Sequence, residues 1–313
     1  MHRLSPIQRS TRPTIPPDWQ SCALVSVLLC VWVCGCRAIG RIGESNQALT
    51  ARKLSRQGVE AMRRGQAGAA ERLFGDALEV SDADDRAHRG LAEALWNREE
   101  YQQAILHMEK AVALSAGDPR LLGRLGQMYL QVGRIDEAEQ QSRLALESER
   151  NSAEIWTLEG DCLRTREKSQ QALAAYHRAL AIQPDLIDVK LRIAELYLLA
   201  EKHDRLLATL DGIGAELDDS QIPGRVHLMR GIAMRHLGRR ELAIRHFQQA
   251  IERDPAAAEP HLQIAATELE SGRTQLAHQS IARALDLDRP LVVSTGWSEL
   301  LPSDRPVQAA SLR

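Results

Sequence analysis

Residues 153–185 read AEIWTLEGDCLRTREKSQQALAAYHRALAIQPD, and the small side chains inside this stretch decide the architecture of the chain. Gly160 belongs to a column of small residues, Gly58, Ala92, Gly126, Gly160, Ala194, Gly231 and Ala265. Ala172 belongs to a second column, with Ala70, Ala104, Ala138, Ala243 and Ala277, and Ala179 to a third, with Ala77, Ala111, Ala145, Ala250 and Ala284. All three columns step by 34 residues and share one three-residue slip ahead of Gly231. A period of this length marks a stack of units, each too small to hold a core alone and each stabilised by its neighbours. Two alanines seven apart lie on one face of a helix and not of a strand, so each unit is expected to be a helical hairpin. Small residues mark where helix axes approach to about 8–10 Å. Leu54, Phe74, Leu122, Leu125, Tyr129, Trp156, Leu163 and Tyr176 are expected to fill the core around them. Gly65, Gly133, Gly238 and Gly272 fall between the paired helices, where a helix end adopts a left-handed conformation.

With Trp156, Gly160, Ala172, Tyr176, Ala179 and Pro184 at their offsets, this stretch resembles a tetratricopeptide repeat. Seven units follow the pattern over about three quarters of the chain: 51–84, 85–118, 119–152, 153–186, 187–220, 224–257 and 258–291. The resemblance implies an all-α fold, a right-handed superhelical solenoid of about seven hairpins. The first helix of each unit would line an inner surface that holds a partner peptide. The fifth unit departs from the pattern, with Leu206 and Ile213 in place of alanine, so its second helix is expected to sit farther out. Gly212, Gly214, Asp218, Asp219, Pro223 and Gly224 read there as a broken helix end and a loop, a seam between two subarrays. Past Asp288 the period lapses. Residues 292–313 read as a C-terminal cap, with Trp297, Leu300 and Leu301 over the last hairpin, followed by a disordered tail.

The first fifty residues carry a different signal. Cys22 to Val33 (CALVSVLLCVWV) is an apolar run of twelve residues with one polar side chain, preceded by Arg3, Arg9 and Arg12 against one acid, Asp18. That is the length of a signal-peptide core and short of the roughly 20 residues needed to cross a bilayer as a helix. Val33, Cys34, Gly35 and Cys36 resemble a bacterial lipobox, with Cys34 where alanine or serine is usual. The resemblance makes Cys36 the lipidated residue and the mature N-terminus, residues 1–36 the leader and 37–50 a linker. Acyl chains stabilise membrane attachment by about 0.8 kcal/mol per buried methylene. The expected location is a membrane-associated lipoprotein facing the periplasm or outer membrane, and Arg37 after the cysteine favours the outer membrane. An uncleaved single-pass anchor, an ordinary cleaved signal and a chance apolar run stay open as alternatives.

Composition bounds the rest. The 313 residues are 44% hydrophobic, 26% charged and 4% aromatic with a net charge of -2, an ordinary balance for an alanine-packed helical protein. Arginines alternate with acids and form no basic domain, so no nucleic-acid partner is expected. Four of the five cysteines, Cys22, Cys30, Cys34 and Cys36, lie in the leader, and Cys162 is expected to be a buried structural thiol. There is no HExxH, no GxxxxGK[ST], no GxSxG and no paired-cysteine spacing, so no catalysis, metal or cofactor is expected. His107, His177, His246 and His278 fall on second helices at positions expected to face solvent or a turn.

What remains is the inner wall, at positions two, five, nine, twelve and thirteen of each unit. Its first half is basic with an aromatic, and Glu154, Asp161, Asp188 and Glu195 make the second half acidic before it turns apolar at Leu228 and Ile232. Arg86, Arg89, Trp96 and Arg120 are the candidate anchor for an acidic or carboxylate-bearing partner segment, since guanidinium pairs with carboxylate at two points and tryptophan supplies buried area. The pattern departs from the carboxylate-clamp adaptors, because Arg89 with Glu93 or Ser55 with Val59 stands where that clamp has lysine and asparagine. Three readings follow: a membrane-tethered interaction scaffold in the cell envelope, a cytoplasmic adaptor, or an accessory domain binding a cell-wall polymer.

Overall fold

A computed structural model of the chain describes residues 46–301, which form fifteen α-helices and no strand. The leader, Cys36 and residues 302–313 lie outside the described residues. Helix α1 is helical from 46 to 63. After it come α2 (Ala67–Val80), α3 (Asp85–Asn97), α4 (Tyr101–Leu114), α5 (Pro119–Gln131), α6 (Ile135–Ser148), α7 (Ala153–Thr165) and α8 (Ser169–Ile182). The chain continues with α9 (Ile187–Leu199), α10 (His203–Glu216), α11 (Gly224–His236), α12 (Arg240–Arg253), α13 (Glu259–Glu270), α14 (Thr274–Leu287) and α15 (Arg289–Ser294). They divide into two compact units, one running to Leu121 and the other from Leu122. The division falls inside α5 and not at residues 220–223, where the sequence suggested a seam. Helix α1 is also already formed at 46, inside the stretch expected as a linker.

The alanine columns are the floor of each hairpin. Ala70, Ala77, Ala104, Ala111, Ala138, Ala145, Ala172, Ala179, Ala243, Ala277 and Ala284 are all fully buried. The glycine column has a more specific cause than helix approach. A Cβ on Gly58 would stand 2.6 Å from Phe74, and one on Gly160 or Gly231 would run into the ring of Tyr176 or Phe247. In each case the ring comes from the second helix, sixteen residues on, and lies flat over the glycine. Where that position is aliphatic, as at Met108, Leu210 and Ile281, the small residue facing it is Ala92, Ala194 or Ala265. Gly126 makes room instead for Leu158 of the next hairpin, at 2.6 Å, and for the carbonyl of Ala138. Phe74 does double duty, since a Cβ on Gly90 of the next hairpin would also run into its ring.

Every paired hairpin turns through the same left-handed residue, at the fifteenth place of the unit. Four are the expected glycines, Gly65, Gly133, Gly238 and Gly272, and three are glutamates, Glu99, Glu167 and Glu201, with φ of 64°, 60° and 54°. The backbone pays no attention to the difference: Gln66 N–H donates to Ala61 O at 2.9 Å, Glu100 N–H to Leu95 O at 3.0 Å and Lys168 N–H to Leu163 O at 2.9 Å. These six-to-one bonds satisfy carbonyls that a helix end otherwise leaves bare.

The fifth hairpin is repacked and not broken. Helix α10 runs without interruption through Gly212 and Gly214, and Leu206, Leu210 and Ile213 are fully buried between it and its neighbours. Gly214 leaves room for Arg230, whose Nη2 donates to Leu210 O at 2.9 Å and pairs with Asp211 at 3.3 Å. The inserted residues are tied down as well, with Arg253 Nη1 donating to Ser220 O at 2.8 Å. At the C-terminal end Val292, Trp297 and Leu301 pack on Ala258, Leu262 and Ile281, whereas Leu300, expected beside them, is exposed.

Candidate functional site

Within the second unit the first helices touch one another in succession, α9 with α11 and α11 with α13. With α5 and α7, the first helices before them in the chain, they make up the first-helix side of the unit. A cavity of about 480 Å³ opens along it, lined by Gln127, Leu130 and Gln131 of α5, Thr157, Leu158, Asp161, Arg164 and Thr165 of α7, and Arg192 of α9. Gly133 and Ile135 close one end.

Asp161 organises this surface. Its Oδ1 accepts the Tyr176 hydroxyl at 2.7 Å and pairs with Arg192 Nε at 2.9 Å. Burial, and then the charge of Asp161, push the Tyr176 phenol well above its ordinary range, so it stays a neutral donor. The Thr157 and Thr165 hydroxyls donate to the carbonyls of Ala153 and Asp161, both within their own helix. Arg164 is exposed beside Tyr176, with no carboxylate within ion-pair distance among the described residues. The cavity therefore offers an apolar floor at Leu130 and Leu158, two carboxamides that can bond a peptide backbone, and the exposed guanidinium of Arg164, which bonds the Tyr176 hydroxyl and keeps further N–H donors.

The residues singled out from sequence lie in the other unit. Arg86 and Arg89 are exposed one turn apart on α3, and Arg120 is exposed at the start of α5. Trp96 is half-buried, its ring 4.7 Å from that of Tyr101 at the tip of the hairpin. Trp156, expected in the core, is instead half-buried with Arg178 over its face at 4.5 Å. Cys162 is fully buried, and burial, with Glu159 and Asp161 nearby, pushes its thiol up to about 12, which leaves it inert at neutral pH. No group of three or more His, Cys, Asp or Glu among the described residues could hold a metal ion, and no helix among them is long and apolar enough to cross a membrane.

Sequence reading missed the histidine pairs. His88 and His227 occupy the fourth place of their units and are buried, and His107 and His246, expected to face solvent, sit at the twenty-third place and pack against them. That shared spacing of 19 residues was the available signal. His88 Nε2 lies 3.1 Å from the Asp82 carbonyl, which only accepts, so this nitrogen carries the proton. Nδ1 of His88 lies 2.9 Å from Nδ1 of His107, one nitrogen donating to the other. In the second pair both nitrogens of His227 are buried without a partner, and His246 Nδ1 bonds Gln249 at 2.9 Å.

Burial, followed by neighbouring positive charge, lowers His107, His227 and His246 below the ordinary value of 6.5. Around the first pair stand His88, Lys110 and the opposing Asp82; around the second stand Arg230, Arg245 and Arg253, opposed by Asp211 and Asp219. A histidine depressed in the folded state contributes stability that is complete above 6.5 and is lost as pH falls through the folded value. Thermal melts are therefore expected to show a lower midpoint at about pH 5.5 than at about pH 7.5, with a flatter profile in the His107→Gln, His246→Gln double variant. An equal slope in both proteins would remove the pairs as its cause.

Family models described as tetratricopeptide repeat match residues 55–119, 95–162 and 224–257. Anaphase-promoting complex subunit 3 of Schizosaccharomyces pombe is 26% identical over 159 residues, which is 51% of this chain and 24% of that protein. The chain thus spans about a quarter of the length of that relative. Among solved structures, pilF of Pseudomonas aeruginosa superposes with a TM-score of 0.61 at 18% identity, covering 72% of this chain and 99% of that one. A tetratricopeptide repeat protein from Parabacteroides merdae gives 0.59 at 13% identity, covering 80% and 98%. At such identities the superpositions speak for the fold, and they agree with the helical hairpins, the buried alanine columns and the matched segments: the chain is a tetratricopeptide repeat protein.

Proposed function

We propose that the chain is a non-catalytic scaffold, tethered to a bacterial membrane and facing the cell envelope, which takes an extended segment of a partner protein along the wall of its first helices. Proteins built of these repeats serve as protein-interaction scaffolds. The observation that carries the reading here is the cavity between α5, α7 and α9, where carboxamides and the exposed guanidinium of Arg164 surround an apolar floor. Such a surface bonds the backbone and one acidic side chain of an extended peptide. The exposed Arg86, Arg89 and Arg120, with Trp96, extend the same chemistry to the other unit. The tether rests on the leader sequence and on Cys36.

Two experiments test it. Capture of a partner from envelope extract is expected to be strong for the wild type and weak for Arg86→Glu, Arg89→Glu, Trp96→Ala or for Gln131→Ala, Arg164→Glu. Equal capture by all three proteins would remove both inner surfaces from the reading. Labelled palmitate is expected on the wild type and not on Cys36→Ser. An unlabelled wild type that still sediments with membranes would replace the lipid by a protein anchor, and a soluble one would favour the cytoplasmic adaptor.

A further inference from the structure

The second helices of the second unit carry a cavity of their own, about 390 Å³, lined by Arg143, Leu146 and Glu147 of α6, Arg150 beyond it, Trp156 of α7 and Arg178 of α8. Three guanidiniums and one indole around one cavity call for an account, since most arginines of this unit are already matched. Arg143 pairs with Glu139, Arg166 with Glu139 at 2.9 Å, Arg192 with Asp161 at 2.9 Å and Arg225 with Glu195 at 3.0 Å. Arg150 and Arg178 have no carboxylate within ion-pair distance among the described residues.

The backbone of Arg150 and the guanidinium of Arg178 are nevertheless held in place. Trp156 Nε1–H donates to the Arg150 carbonyl at 2.9 Å, which fixes the indole against the loop. Arg178 lies over the ring face at 4.5 Å. Stacking engages the guanidinium through its face and leaves the in-plane N–H edges free, the arrangement suited to a two-point bond with a carboxylate. Leu146 provides an apolar rest for whatever neighbours that carboxylate. Glu147 selects against a dense polyanion, because a second negative group entering the same cavity meets its charge.

We propose that this cavity is a second docking site, independent of the first-helix wall, for a sparsely acidic segment of a partner protein, one carboxylate of which is bonded by Arg150 and Arg178 while the adjacent apolar side chain rests on Leu146. An anionic membrane surface would present the opposite pattern, many charges and no apolar neighbour at a fixed distance. The site makes the scaffold two-faced, able to hold one partner on each side of the same hairpins.

The test uses the full chain and a fluorescein-labelled peptide of three Glu-Leu-Gly repeats, read by anisotropy, with a Gln-Leu-Gly peptide and phosphatidylglycerol vesicles as comparisons. Measured in an Arg164→Gln background, which removes the exposed guanidinium of the inner wall, the acidic peptide is expected to bind and to weaken by about tenfold or more when Arg150→Gln, Arg178→Gln is added. A diazirine form of the peptide, used on the wild type alone, is expected to cross-link to residues lining this cavity, which keeps the result clear of any folding defect in the variants. Cross-links confined to the inner wall, equal binding of the Gln-Leu-Gly peptide, or vesicles displacing the peptide from this cavity would each overturn the proposal. Loss of partner capture by the inner-wall variants leaves it untouched.

Discussion

Replacing Phe74 by alanine is expected to destabilise the first unit by about 3–5 kcal/mol, read as faster amide exchange in α1 to α3 and an earlier denaturant midpoint. The ring is fully buried and stands between Gly58 and Gly90, two residues with no side chain to move into the space it leaves. A cavity that cannot collapse gives the upper part of the range for this kind of truncation. Because the ring is shared by successive hairpins, the loss falls on their coupling as well as on either one, and exchange in α1 and in α3 should rise together. A change below about 1 kcal/mol would mean that the ring is not wedged as described.

Gly160→Ala sets two effects against each other. In a helix interior alanine is favoured over glycine by about 1 kcal/mol. Here the added methyl would run into the ring of Tyr176, whose hydroxyl is held by Asp161 at 2.7 Å, so the ring cannot slide away. Overpacking of this kind costs about 1–3 kcal/mol, and the variant is expected to melt lower in spite of its better helix former. Adding Tyr176→Leu should return most of the loss, since Ala194 faces Leu210 and Ala265 faces Ile281 in the same chain. A double variant no better than the sum of its parts would show that the two residues do not share the space.

Much of this architecture was legible, because a repeated unit states its pattern several times and noise averages out. The alanine columns, the burial of Cys162 and the four turn glycines were all visible. Glu99, Glu167 and Glu201 were not, since a left-handed turn is imposed by the cap hydrogen bonds of the helix end and carries no side-chain signature when glycine is absent. Helix α10 misled for the opposite reason: Gly212 and Gly214 look like breakers in one dimension, but Gly214 is there to admit Arg230. Helical periodicity assigns a residue to a face without naming its partner across the hairpin, so His107 and His246 were placed facing solvent and Trp156 in the core. The site was the least legible part, because the cavity between α5, α7 and α9 is assembled from residues up to 65 apart, Gln127 and Arg192 being its extremes.

The carboxylate of Asp161 already holds two bonds, one to Arg192 and one to the phenol of Tyr176. Only Nε of Arg192 is engaged there, so an acidic ligand that bonds its Nη groups shares the guanidinium with Asp161, whereas one that takes Nε has to displace that carboxylate. A lone anion then meets only the edge of Arg192 that Asp161 leaves open, while a segment that also engages Gln127, Gln131 and Arg164 is held at several points. Because Asp161 also holds the Tyr176 hydroxyl, whose ring packs on Gly160, a ligand bonded to Arg192 sits two side chains away from the contact that joins the two helices of that hairpin.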